Sequence, residues 1–139
     1  MGTRYLGVDL GARRIGLALS EPGGIVSPLA VLPAGAGADD NARAILAAAG
    51  EYSAEAIVIG LPLNMDGTEG PQAKLSRTLA EAISRIGPLP VHLHDERLTS
   101  HAADRRLIDR DLTRKKKKAR QDAVAAQILL ESFLQAGDH

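Results

Sequence analysis

Residues Glu55–Leu61, EAIVIGL, are almost entirely apolar. A strand that buries one face alternates apolar with polar residues, so an unbroken apolar run predicts a strand covered on both faces. Such a strand belongs inside a sheet with helices packed on it. The run ends in Pro62-Leu63-Asn64-Met65-Asp66-Gly67, a loop of turn formers. Gly70-Pro71 opens a helix, with proline at a tolerated first-turn position. Leu75, Leu79, Ile83 and Ile86 form its expected buried stripe, and Gly87-Pro88 ends it. Pro90–Glu96 reads as the next strand.

Upstream, Tyr5–Leu10 is a short apolar strand, Gly11-Ala12 a turn, and Arg13–Ser20 a second strand with Ile15, Leu17 and Leu19 on one face. Glu21–Gly24 (EPGG) is a turn. Ile25–Leu32 is a third strand, and Pro28 within it marks an edge or a bulge. After a Gly/Ala linker, Asp39 or Asp40 caps a helix running to about Tyr52, with Ala42, Ile45, Leu46 and Ala49 inward. Downstream, Thr99 or Ser100 caps a helix to about Ile108, and Asp109–Arg120 is a polar, mobile stretch. Asp122–Gln135 is the last helix, with Ala125, Ile128, Leu129 and Phe133 apolar. The order β-β-β-α-β-α-β-α-α predicts an α/β fold: a five-stranded mixed sheet, its first three strands antiparallel, with helices on its faces. At 139 residues, positions 1–139 are expected to form one domain.

Cysteine is absent, which excludes disulfides and thiolate metal sites. The N-terminal residues run straight into patterned strand, and no apolar run approaches a membrane span, so a cytoplasmic protein without a membrane partner is expected. Net charge is +0, yet residues 114–120, RKKKKAR, hold six basic groups in seven positions. A local field of this kind matters where the sum does not. With Tyr5, Tyr52 and Phe133 as the whole aromatic set, a stacking platform for single-stranded bases is not expected.

Asp9 comes late in the first strand, Glu96 ends the fifth, and Asp122 opens the last helix. Ligands gather outside the carboxyl ends of parallel strands. If strands one, four and five are parallel neighbours, Asp9 and Glu96 emerge at one edge, and the last helix can deliver Asp122 there. Three carboxylates at one point repel unless a cation is present. All-oxygen donors suit Mg²⁺ or Mn²⁺, expected as two ions, with the substrate phosphate completing the shell. The plainer alternatives are a turn residue for Asp9, a solvated ion-pair cluster for Glu96 with Asp95 and Arg97, and a helix-dipole partner for Asp122.

Around these acids lie candidate nucleic-acid contacts. Of Arg13 and Arg14, one is expected to face the site and the other solvent. Asn64 either positions a phosphate or closes a turn, and Arg97 either pairs with Asp95 or holds the scissile phosphate. Arg114, Lys115, Lys116, Lys117, Lys118 and Arg120 are expected to grip a phosphate backbone, with salt-sensitive affinity. His92, His94 and His101 make no zinc pattern and are read as packing or surface residues.

Together, Gly7–Ala18 (GVDLGARRIGLA), Gly60–Gly67 (GLPLNMDG), Asp95–Ser100 (DERLTS) and Asp122–Leu130 (DAVAAQILL) resemble the YqgF/RuvX family. That family is described both as Holliday junction resolvases and as pre-16S rRNA nucleases. The likeness covers essentially the whole chain. It implies an RNase H-like fold, acidic residues at Asp9, Glu96 and Asp122, and a metal-dependent nuclease that matures the 5′ end of 16S rRNA in ribosome biogenesis. The alternative within the class is a Holliday junction resolvase in DNA recombination. The nucleic-acid partner is accordingly structured RNA or branched DNA, and the protein a monomer or homodimer. Two rivals come from other classes. Asp-Leu-Gly followed by a basic residue also opens the phosphate hairpin of actin-like ATPases and sugar kinases, but those need two such domains. A non-catalytic nucleic-acid-binding module of RNase H-like fold is the other, against which the three acids argue.

Overall fold

The computed structural model describes residues 2–98 and 114–136. Five strands, β1 (Tyr5–Leu10), β2 (Arg14–Ser20), β3 (Val26–Pro33), β4 (Ala56–Leu61) and β5 (Val91–Asp95), form one sheet in the order β3-β2-β1-β4-β5. The first three are antiparallel neighbours, while β4 runs parallel to β1 and β5 parallel to β4. Among the described residues there are three α-helices, α1 (Ala38–Glu51), α2 (Pro71–Ile86) and α3 (Arg114–Ala136), and a 3₁₀ turn at Glu96–Leu98. This is the mixed α/β sheet that the order of elements predicts. No helix among the described residues is long and apolar enough to cross a membrane.

The period of two divides the sheet between two cores. Leu6, Val8, Ile15, Leu17, Ile57 and Ile59 face α1 and α2, meeting Ala42, Ile45, Leu79 and Ile83. Tyr5, Ala18, Ala56 and Val58 face α3, meeting Ala126, Leu130 and Phe133. β4 is buried along its full length, as its unbroken apolar run requires. His92 and His94 lie on the α3 side. Both rings contact Phe133, and His94 Nε2 lies 2.9 Å from Ser132 Oγ, so they serve packing.

Pro28 satisfies both halves of its reading. β3 is an edge strand, and its register with β2 shifts between Leu17 and Ala18 beside that proline.

Four expectations need correction. The last helix starts at Arg114, not Asp122, so the backbone of the basic run is helical. Lys, Arg, Ala and Gln are all strong helix formers and no Gly or Pro interrupts them, which outweighs the charge run. Leu75 is 55% exposed and leaves the α2 stripe. The buried face is instead Ala73, Ser76, Leu79, Ala80, Ala82 and Ile83, because small residues let α2 lie close on its neighbours. On α3, Ala126 and Leu130 join Phe133 in the core while Ala125 is half-buried. Finally, Gly37 rather than an aspartate is the α1 cap. Asp39 and Asp40 occupy the first turn, where they favour the helix dipole. The helix expected from Thr99 or Ser100 to Ile108, and His101 within it, lie outside the described residues.

Candidate active site

Asp9 is the second-last residue of β1, and alternation puts it on the α3 side with Tyr5 and Gly7. Its lateral neighbours decide what can approach it. On β2 it is paired with Gly16. On β4 the pairing of Val8 with Ile59 makes Gly60 the next residue alongside. A side chain is therefore missing on each flank of Asp9.

Both gaps are filled from elsewhere. At the end of β5 the chain turns into the 3₁₀ segment, and the Glu96 side chain folds back over Gly60. A Cβ at Gly60 would lie 2.7 Å from the Glu96 carboxyl carbon, closer than real Cβ atoms come. On the other flank α3 rests on the sheet so closely that a Cβ at Gly16 would lie 2.5 Å from the Asp122 carbonyl carbon. One turn on, the Ala126 carbonyl and the Leu130 side chain sit over Gly7. Gly16, Ala18 and Gly7 thus make a shallow trough that sets α3 at the depth where Asp122 stands beside Asp9's strand.

The structure brings Asp9 and Glu96 into direct contact. The two carboxyls lie within hydrogen-bonding reach of each other. Burial raises Asp9, partly offset by that hydrogen bond. Burial, the hydrogen bond and the charge of Asp9 together push Glu96 up to about 8. Two half-buried carboxyls held this close repel once both are ionised, and a cation relieves that repulsion. Their hard oxygen donors fit Mg²⁺ or Mn²⁺.

Asp122 reaches the same end of the sheet without joining the pair. Among the described residues, no three His, Cys, Asp or Glu side chains are grouped to hold one ion. The Asp122 carboxylate is instead 4.0 Å from Arg14 Nη1. Arg14 lies two residues from Gly16 on the same face of β2, which aims it at Asp122. Arg14 Nη1 is shut off from solvent and makes no hydrogen bond among the described residues. Arg13 is exposed, so of the two arginines it is Arg14 that faces the site.

The β4–α2 loop is tied rigidly beside Glu96. Asn64 Nδ2 donates to Thr68 Oγ1, its backbone N–H donates to the Thr68 carbonyl, and its own carbonyl accepts from Gly67, which sits at φ +87. Asn64 closes a turn. Arg97 donates to both oxygens of Asp95 and reaches the Met65 carbonyl at 3.4 Å, which pins the loop to the end of β5. That pairing holds Asp95 below the ordinary carboxylate range and raises Arg97. The six basic side chains of residues 114–120 lie outside the described set.

Three contributors escape a reading of the sequence alone. Gly16 and Gly60 matter only because of their register with Asp9, although both stand in the motifs GARRIG and GLPLN. Gln72 donates to the Leu10 carbonyl at 2.8 Å and braces the end of β1 from α2. No side-chain pattern announces that bond.

Comparison with known proteins agrees with this architecture. Residues 3–136 match the family described as "RuvX: Holliday junction resolvase". A protein of Acidiphilium cryptum named "Putative pre-16S rRNA nuclease" is 44% identical over 132 residues, spanning 94% of this chain and 83% of that protein. One of the same name from Syntrophomonas wolfei is 38% identical over 134 residues, spanning 96% and 95%. Among solved structures, RuvC of T. thermophilus in complex with a Holliday junction substrate superposes with a TM-score of 0.58 at 15% identity, covering 98% of this chain and 96% of that one. At that identity the likeness speaks for a shared fold, the RNase H-like sheet. With a family match across nearly the whole chain and two relatives above a third identical, the chain belongs to the RuvX family.

Proposed function

We propose that this protein is a divalent-metal-dependent endonuclease of the cytoplasm that cleaves phosphodiester bonds at the 5′ end of the 16S rRNA precursor, with residues 1–139 acting as one nuclease domain. The observation that carries the reading is the half-buried Asp9–Glu96 pair, its two carboxyls brought together at the carboxyl ends of β1 and β5. The names borne by the relatives support RNA as the substrate.

Asp9 and Glu96 are the residues to hold Mg²⁺ or Mn²⁺, with Asp122 as the third ligand. Bound there, the ion supplies the Lewis acidity that generates a nucleophile from water and stabilises a leaving oxygen. The protein does the rest. Once both are ionised, the two carboxyls present acceptor oxygens only and can orient an attacking water. β1 holds Asp9 on a buried inner strand, so its oxygens do not wander. Arg14 offers N–H donors to a phosphate oxygen, and the helical basic run of α3 adds charge along the strand.

The test is direct competition between a 5′-extended 16S precursor and a four-way DNA junction at one salt and metal concentration, with Asp9→Asn as control. Selective cleavage of the precursor, lost in the variant, is expected. Selective cleavage of the junction favours the second reading, a Holliday junction resolvase, which the family description supports. Cleavage that survives Asp9→Asn overturns the metal-site assignment. Nucleic-acid binding without cleavage leaves the non-catalytic module.

A further inference from the structure

The three candidate acids are not equivalent, and the difference lies in Arg14. Asp9 and Glu96 are in contact. Asp122 stands at the same end of the sheet, with its carboxylate toward a guanidinium 4.0 Å away. Both side chains of that pair are largely withdrawn from water, at 30% and 25% exposure, so their attraction is weakly screened. Arg14 Nη1 is buried and makes no hydrogen bond among the described residues. Its separation from Asp122 is too long for one. Arg14 therefore offsets the charge of Asp122 while its Nη1 makes no hydrogen bond among the described residues.

We propose that Arg14 is a positioning residue that acts through Asp122: in the substrate-free protein it stands in for the cation at the third carboxylate, and a substrate phosphate draws it off. This rests on the nuclease reading of the same site. A carboxylate facing an arginine is a poorer ligand than a bare one, because the incoming cation must displace or tolerate a like charge. A phosphate oxygen is a better partner for Arg14 than a carboxylate beyond hydrogen-bonding reach, since it accepts in the guanidinium's fork geometry. Nucleic acid then releases Asp122 for the metal, and by reciprocity the metal favours nucleic acid. The site completes itself only when both are present.

The test is Mn²⁺ binding to the intact protein without nucleic acid, followed by electron paramagnetic resonance of the free ion, in wild type, Arg14→Gln, Asp122→Asn and the double variant. Arg14→Gln should bind Mn²⁺ about tenfold more tightly than wild type, and the gain should vanish in the Asp122→Asn background. Arg14→Met, which keeps the stem without the charge, replaces Arg14→Gln if the latter fails to fold. Unchanged or weaker binding in the Arg14 variants overturns the proposal. So does a gain that persists with Asp122→Asn, since it would reflect net charge alone. Glu96→Gln keeps the two readings apart. If it binds Mn²⁺ as well as wild type, the metal site itself is wrong and this inference falls with it. If it loses Mn²⁺ while the Arg14 variants change nothing, only the inference fails.

Discussion

The two flanks of Asp9 are built alike and charged differently. Each begins with a glycine level with Asp9, Gly60 on β4 and Gly16 on β2, and each glycine leaves room for a second acid from a distant element. On the β4 flank, Glu96 meets Asp9, and the charge of Asp9 raises Glu96. On the β2 flank, Asp122 has a guanidinium beside it. One flank holds two acids that repel and the other pairs its acid with the protein's own positive charge. The acids on the two flanks thus differ in what they contribute to the stability of the fold.

Removing either acid of the repelling pair should have the largest effect. Asp9→Asn and Glu96→Gln are each expected to lower kcat by at least about a hundredfold at saturating Mg²⁺, measured by single-turnover cleavage of a 5′-extended precursor. Gly60→Ala should approach that loss without touching an ionisable group, because its methyl would collide with the Glu96 carboxyl. A folded, fully active Gly60→Ala would show that Glu96 need not lie over that strand.

Stability without metal should separate the flanks by sign. Glu96 has its folded pKa raised from 4.5 to about 8, so its stabilising contribution is complete below 4.5 and is lost as pH rises through 8. Asp9 is raised as well and acts in the same direction. The melting temperature in chelator should therefore fall between pH 5 and 8, and Glu96→Gln should flatten the fall and raise the value at pH 8. Asp122→Asn should do the opposite, costing about 1–2 kcal/mol by stranding a half-buried Arg14. If both variants shift melting the same way, the flanks are not electrostatically distinct. The smallest effect is expected at Arg97→Ala. An exposed ion pair stabilises by less than about 1 kcal/mol, so the change should appear as faster amide exchange in the loop of residues 62–70 rather than in global melting.

The sheet was legible in the sequence because period and punctuation agreed there. An unbroken apolar strand, a proline in an edge strand and glycine-rich turns each have a single inexpensive reading. Asp9 and Glu96 were legible as neighbours because parallel strands carry their ends to one edge. What escaped was whatever depends on contact between distant elements. The length of α3 was masked by charge, which marks solvent exposure and says nothing against a helix. Hydrophobicity alone points Leu75 inward, yet α2 packs through Ala73, Ser76 and Ala80, whose small size sets the phase. The glycines beside Asp9 look like any others until the strands are in register, and Arg14 looks like half of an arginine doublet until α3 brings Asp122 against it.

The continuous run of α3 from Arg114 through Asp122 has a mechanical consequence. Eight helical steps make a stiff rod of about 12 Å, whereas the same residues as coil would be a slack tether. A force on the basic end of a rod arrives at its far end as displacement or torque, with little lost to chain entropy. Whatever grips the lysine run therefore steers the seat of Asp122 on Gly16, and the trough of small residues beneath α3 acts as the fulcrum.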